Sequence, residues 1–161
     1  MADNDATHAK LNVSASPRSL LAQILVDNLD RQQAICDELE AIADSLPSRI
    51  NDQVCLQISQ TLPALLKQIH DFEETQLFPQ LLKRYFANAE LKQTTERLCS
   101  EHLSDEDFAD DLCTALLTNI TNVNHIVAES QGWMLRGLFE NLRRHIAFER
   151  EHILPLIDLP D

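Results

Sequence analysis

The sequence predicts an all-α protein, an antiparallel up-down-up-down four-helix bundle, and three features carry that expectation. Only two glycines punctuate the 161 residues. Long stretches are filled with Leu, Ile, Ala, Glu, Gln and Arg, residues at home in helices. Apolar positions recur at three- and four-residue steps in four successive segments joined by short links, which makes neighbouring helices antiparallel. The length suits one domain with a real core.

Residues 1–16 mix Ala, Asp, Asn, Thr and Ser without periodicity, so they are expected to be a flexible tail ahead of a domain at 17–161. Ser16-Pro17 has the form of an N-cap followed by proline at the first helical position. Helix 1 then carries Leu21, Ile24, Leu25, Leu29, Ile35, Cys36, Leu39, Ile42 and Leu46 on one stripe, with Asn28 and Gln32 among them, and Pro47-Ser48 closes it. Helix 2 runs from about Asp52 to Lys83, with Pro63 expected to kink it. After a turn at Phe86–Ala89, Leu91, Leu98, Phe108, Leu112 and Leu116 mark helix 3. Asn119–Asn124 reads as the next break. Helix 4 spans about Ile126–Leu154, with Leu135, Leu138, Leu142 and Phe148 inward and Pro155 at its end.

Charge and composition exclude several classes of function. Thirteen Lys and Arg stand against 26 Asp and Glu, a formal net charge of −13, which opposes a nucleic-acid partner because phosphate binding needs a concentrated basic face. No apolar run approaches the roughly 20 residues that span a bilayer, and no signal-peptide pattern opens the chain, so no membrane partner and a cytoplasmic location are expected. Cys36, Cys55, Cys99 and Cys113 are widely spaced, without a C-x-x-C pair, and read as buried reduced thiols. Cys99, three residues before His102, is the one candidate nucleophile near an inward histidine and reads as core packing.

Three histidines fall on inward stripes of three helices: His70, His102 and His145. In an antiparallel hairpin two residues lie level when their sequence midpoint falls in the turn. His70 and His102 have theirs at Phe86, and His102 and His145 between Val123 and Asn124, so all three are expected in one layer. The same construction sets Asn28 and Gln32 level with His70. Glu74 follows His70 by four residues and Glu149 follows His145 by four, which puts each pair on one helix face, and His102 has Asp105 and Glu106 three and four residues on. Imidazoles and carboxylates facing each other across a bundle can hold metal, and burying so many carboxylates without a cation costs several kcal/mol each. The competing reading makes Glu73, Glu74, Glu106, Glu149 and Glu151 rim charges paired with Arg143, Arg144 or Arg150. His125 and His152 read as surface or capping residues.

His70-Asp-Phe-Glu-Glu74 leading to Leu77-Phe78-Pro79, Glu101-His102, and His145-Ile-Ala-Phe-Glu149 leading to Leu154-Pro155 resemble the hemerythrin-like, HHE cation-binding family over roughly residues 20–157. The resemblance implies a bundle around a non-haem centre of two irons that binds dioxygen or another small diatomic ligand, or senses oxygen, redox state or iron. It implies His70, His102 and His145 as histidine ligands and Glu74 and Glu149 as bridging carboxylates; Glu106 joins the expected metal-binding set from its spacing after His102. Three departures accompany it. Helix 1 offers Asn28 and Gln32 where the family has a histidine; Glu106 stands where oxygen carriers have a second helix 3 histidine; and His70 to Pro79 is one residue shorter than His145 to Pro155, so Glu73 competes with Glu74.

Replacing neutral imidazoles with carboxylate or amide makes a site harder and more anionic, favouring ferric iron over the ferrous state that reversible oxygen binding needs. The expected function is therefore oxygen, redox or iron sensing or binding, or weak oxidase- or peroxidase-like chemistry, rather than bulk oxygen transport, and enzymatic turnover is left open. The alternative is a metal-free helical interaction module whose acidic surface recruits a protein partner or a second copy of the chain.

Overall fold

The structure, a computed structural model, describes residues 20–46, 51–121 and 125–158. The expected tail, the Ser16-Pro17 start, the Pro47-Ser48 stop and residues 122–124 of the last link lie outside the described residues, as does the side chain of His125. The protein is an all-α four-helix bundle with no strand among the described residues.

The first rod is α1 (Leu20–Ser45). The second joins α2 (Asp52–Phe72), a π turn at Glu73–Leu77 and α3 (Phe78–Arg84). The third is α4 (Ala89–Thr121), and the fourth joins α5 (His125–Phe148), a second π turn at Glu149–Ile153 and α6 (Leu154–Asp158). α1 packs on α5, α2 on α4, and α4 on α5. Local chemistry sets the starts: Asn51 Oδ1 accepts from the backbone N–H of Gln53 at 3.1 Å and of Val54 at 3.3 Å, and Asn88 Oδ1 accepts from that of Leu91 at 2.9 Å. α4 continues through Asn119 to Thr121, where the sequence suggests a break; weak helix formers at the end of a long helix cost too little to stop it early.

Arg136 pairs with Asp44, Arg143 with Asp37 and Glu40, and Arg150 with Asp30. Each seven-residue step up α5 and its extension matches a seven-residue step back along α1, the signature of antiparallel rods in register. These exposed pairs add little stability singly, but they occupy the arginines that could otherwise neutralise interior carboxylates.

The two π turns follow from the apolar pattern. Eighteen residues complete about five turns of α-helix, yet buried Leu62 and Leu81 are nineteen apart, as are buried Leu138 and Ile157. A uniform helix would rotate Leu81 or Ile157 away from the core by about 100°. Opening one turn to i→i−5 bonding absorbs the extra residue: the Phe78 N–H donates to Glu73 O and the Leu154 N–H to Glu149 O. Pro79 and Pro155 come next, where a proline ring would crowd the carbonyl four residues back in a regular helix. Pro63, expected to kink helix 2, lies inside an unbroken α2, and the irregularity sits at Glu73–Leu77 instead.

Candidate metal centre

His70 stands near the end of α2, His102 in mid-α4 and His145 near the end of α5, and all three are buried. Their rings gather as the turn midpoints require: His70 stacks on His102 at a centroid distance of 4.0 Å, and His102 lies 5.0 Å from His145. The π turns deliver Glu73 and Glu149 to the same layer, each with a fully buried side chain.

Glu73, His102, His145 and Glu149 each place one donor atom within 4.8 Å of all the others. His102 Nε2 approaches Glu73 Oε2 at 3.1 Å, and His145 Nε2 approaches Glu149 Oε1 at 3.7 Å. Neither contact is a hydrogen bond, and all four carboxylate oxygens are buried without a hydrogen-bond partner. Both amide atoms of Gln32, from α1, share that condition. Asn28 is also buried.

Each histidine turns its outer nitrogen to a partly exposed carboxylate on a neighbouring rod. His70 Nδ1 donates to Glu106 Oε1 at 2.8 Å, His102 Nδ1 to Glu74 Oε1 at 2.7 Å, and His145 Nδ1 to Glu101 Oε2 at 3.2 Å. Such partners fix the tautomer and raise the basicity of the other nitrogen. His102 Nε2 and His145 Nε2 then face each other at 3.3 Å. One nitrogen or oxygen from each of the four residues thus meets in one buried cluster.

Electrostatics mark the same point. Burial, reinforced by the Glu149 carboxylate, pushes the Glu73 carboxyl well above the usual range. Burial opposes charge on His145, but contact with Glu149 outweighs it and raises the imidazole above its ordinary value. Burial and the neighbouring imidazoles hold His70 down at about 2, keeping it neutral and fit to ligate. Without a cation this layer must take up protons; a cation satisfies the acceptors instead, and mixed imidazole and carboxylate donors suit iron and similar divalent ions.

The structure thus gathers His70, His102, His145 and Glu149 in one layer. It puts Glu74 and Glu106 on the outer nitrogens of His102 and His70, with 38% and 27% of their side chains exposed. Glu73 occupies the inner position on the second rod. The signal for it is the distance to the following proline: Glu73 and Glu149 each stand six residues before one, although they follow their histidines by three and four. Glu101, the third outer partner, carries no sequence signal beyond adjacency to His102. The rim-pairing alternative does not account for Glu73 and Glu149, because Arg143 and Arg150 are committed to α1 and Arg144 bonds Asn141.

Residues 23–157 match the family model of the hemerythrin HHE cation binding domain. No curated protein and no solved structure matches the chain.

Proposed function

The chain belongs to the hemerythrin HHE cation binding family, and on that premise we propose that it is a non-haem di-iron protein of oxygen, redox or iron sensing rather than of bulk oxygen transport. That it is a metal-binding protein follows from the family and from the buried His/Glu cluster. The observation that carries the reading is the buried layer of Glu73, His102, His145 and Glu149, whose ligand atoms all lie within 4.8 Å of one another and whose carboxylate oxygens lack a hydrogen-bond partner.

Glu73, His102, His145 and Glu149 would hold one ion, and His70 with the Gln32 amide would serve a second; the orphaned Gln32 amide and the neutral His70 support this. Glu74, Glu101 and Glu106 orient the imidazoles from outside. Iron in such a site supplies one-electron exchange and an open position for a small ligand such as dioxygen. The anionic glutamates and the amide from α1 favour the ferric state, which suits a sensor and works against reversible carriage. No helix among the described residues is long and apolar enough to cross a membrane, and the four cysteines are free, in keeping with work in the reducing cytoplasm.

Anaerobic titration of metal-free protein with Fe(II), followed by air, tests the proposal. Two irons per chain and the near-ultraviolet bands of an oxo-bridged ferric pair are expected. Protein that takes up no iron and melts unchanged in its presence would overturn it and leave the interaction module standing.

A further inference from the structure

A cavity of about 530 Å³ opens between α4 and α5 beside the metal layer, lined among others by Glu101, Asp105 and His145. Asp105 is 5% exposed, borders this cavity and has no hydrogen-bond or ion-pair partner among the described residues. Its oxygens are not among the sealed, partnerless ones, so the carboxylate opens onto the cavity, where its charge attracts cations. His145 belongs to the inner four and also lines the cavity, with its Nδ1 on Glu101. The cavity therefore reaches from solvent to a residue of the centre.

Its other charges define the occupant. Arg97 pairs with Glu101 and lies over the Phe148 ring at 4.5 Å, and Arg144 bonds Asn141. Both arginines are thus held by partners, which leaves Asp105 as the carboxylate of the lining without a hydrogen bond or ion pair among the described residues. Two carboxylates and solvent make a weak, oxygen-rich site suited to brief occupancy by a hard divalent ion.

We infer that this cavity is the port by which a divalent cation reaches the centre, with Asp105 as its transient ligand and Glu101 exchanging between the ion and His145. The inference rests on the metal-centre reading above, and one experiment separates the two. Metal-free full chain is mixed with Fe(II) anaerobically in a stopped-flow instrument, and uptake is followed for wild type, Asp105→Asn and Arg144→Ala. Asp105→Asn, which keeps the shape of the side chain, should slow uptake roughly tenfold, within the range by which charged clefts change association rates. Its final iron content should be unchanged. Arg144→Ala should load faster, since a positive charge leaves the cavity wall. Asp105→Asn loading at the wild-type rate would overturn the port while leaving the centre intact. Reduced final content at an undiminished rate would also overturn it, by making Asp105 a resident ligand. A wild type that takes up no iron would overturn both.

Discussion

Glu73 and Glu149 are positional equivalents: each opens a five-residue π turn, each is fully buried, and each stands six residues before a proline. The second and fourth rods thus present the same device to the centre from opposite sides, and the extra residue in each apolar stripe falls beside the carboxylate. π turns cost helix regularity and concentrate at functional sites, and here the cost is localised where two buried carboxylates meet the histidine layer.

Replacing these two glutamates should separate inner from outer roles. Glu73→Gln and Glu149→Gln should each lose metal, whereas Glu74→Gln should weaken binding by roughly 10- to 100-fold, the usual effect of losing an outer partner of a ligand. Competition against a chelator of known affinity measures both. Equal losses for Glu73→Gln and Glu74→Gln would contradict the assignment of inner and outer positions.

The metal-free protein should show the burial of Glu73 in its pH dependence. Because the folded carboxyl titrates above its unfolded value of 4.5, its contribution to stability is fully present below 4.5 and is lost as pH rises through the folded value. Glu73→Gln removes that loss. Its melting temperature should exceed that of metal-free wild type by a margin that widens from pH 4.5 upward, and a constant margin would exclude the titration of Glu73 as its source.

Much of this layer is legible in the sequence, because turn midpoints fix height in antiparallel helices. That argument brings His70, His102 and His145 together from positions 32 and 43 residues apart. Counting four residues onward from each histidine is less secure, since it assumes a uniform helix and the chain leaves uniformity within one turn of His70. Counting back from Pro79 and Pro155 selects Glu73 and Glu149. The outer ring is not legible at all: whether Glu74, Glu101 or Glu106 meets a given imidazole depends on how rods are rotated against each other. The same limit applies to Asp105, whose lack of a partner is visible only once α4 and α5 are packed.

His70 and Gln32 provide a test of nuclearity. His70→Ala should lower iron content from two to one, leaving the ion among Glu73, His102, His145 and Glu149, whereas His145→Ala should abolish retention. Gln32→Leu should also halve the content. In the metal-free state it should raise stability by about 1–3 kcal/mol, the desolvation cost of an unsatisfied amide that it removes. Elemental analysis with thermal melts reads both, and a Gln32→Leu protein retaining two irons would remove Gln32 from the site.

The register argument predicts where the second rod tolerates loss of a residue. Deleting exposed Gln76, inside the π turn, shortens the Leu62–Leu81 interval to eighteen residues, about five α-helical turns. The rod can close into a continuous α-helix with both leucines still inward, so the metal-free bundle should fold and melt within a few degrees of wild type. Deleting exposed Gln60, in regular α2, rotates Cys55 and Ile58 by about 100° relative to Leu62 and takes two buried side chains out of the core. That variant should lose several kcal/mol, the usual consequence of emptying core positions. Thermal melts of the two metal-free deletions decide the matter: equal destabilisation would mean that the π turn is not the place where the stripe absorbs its extra residue.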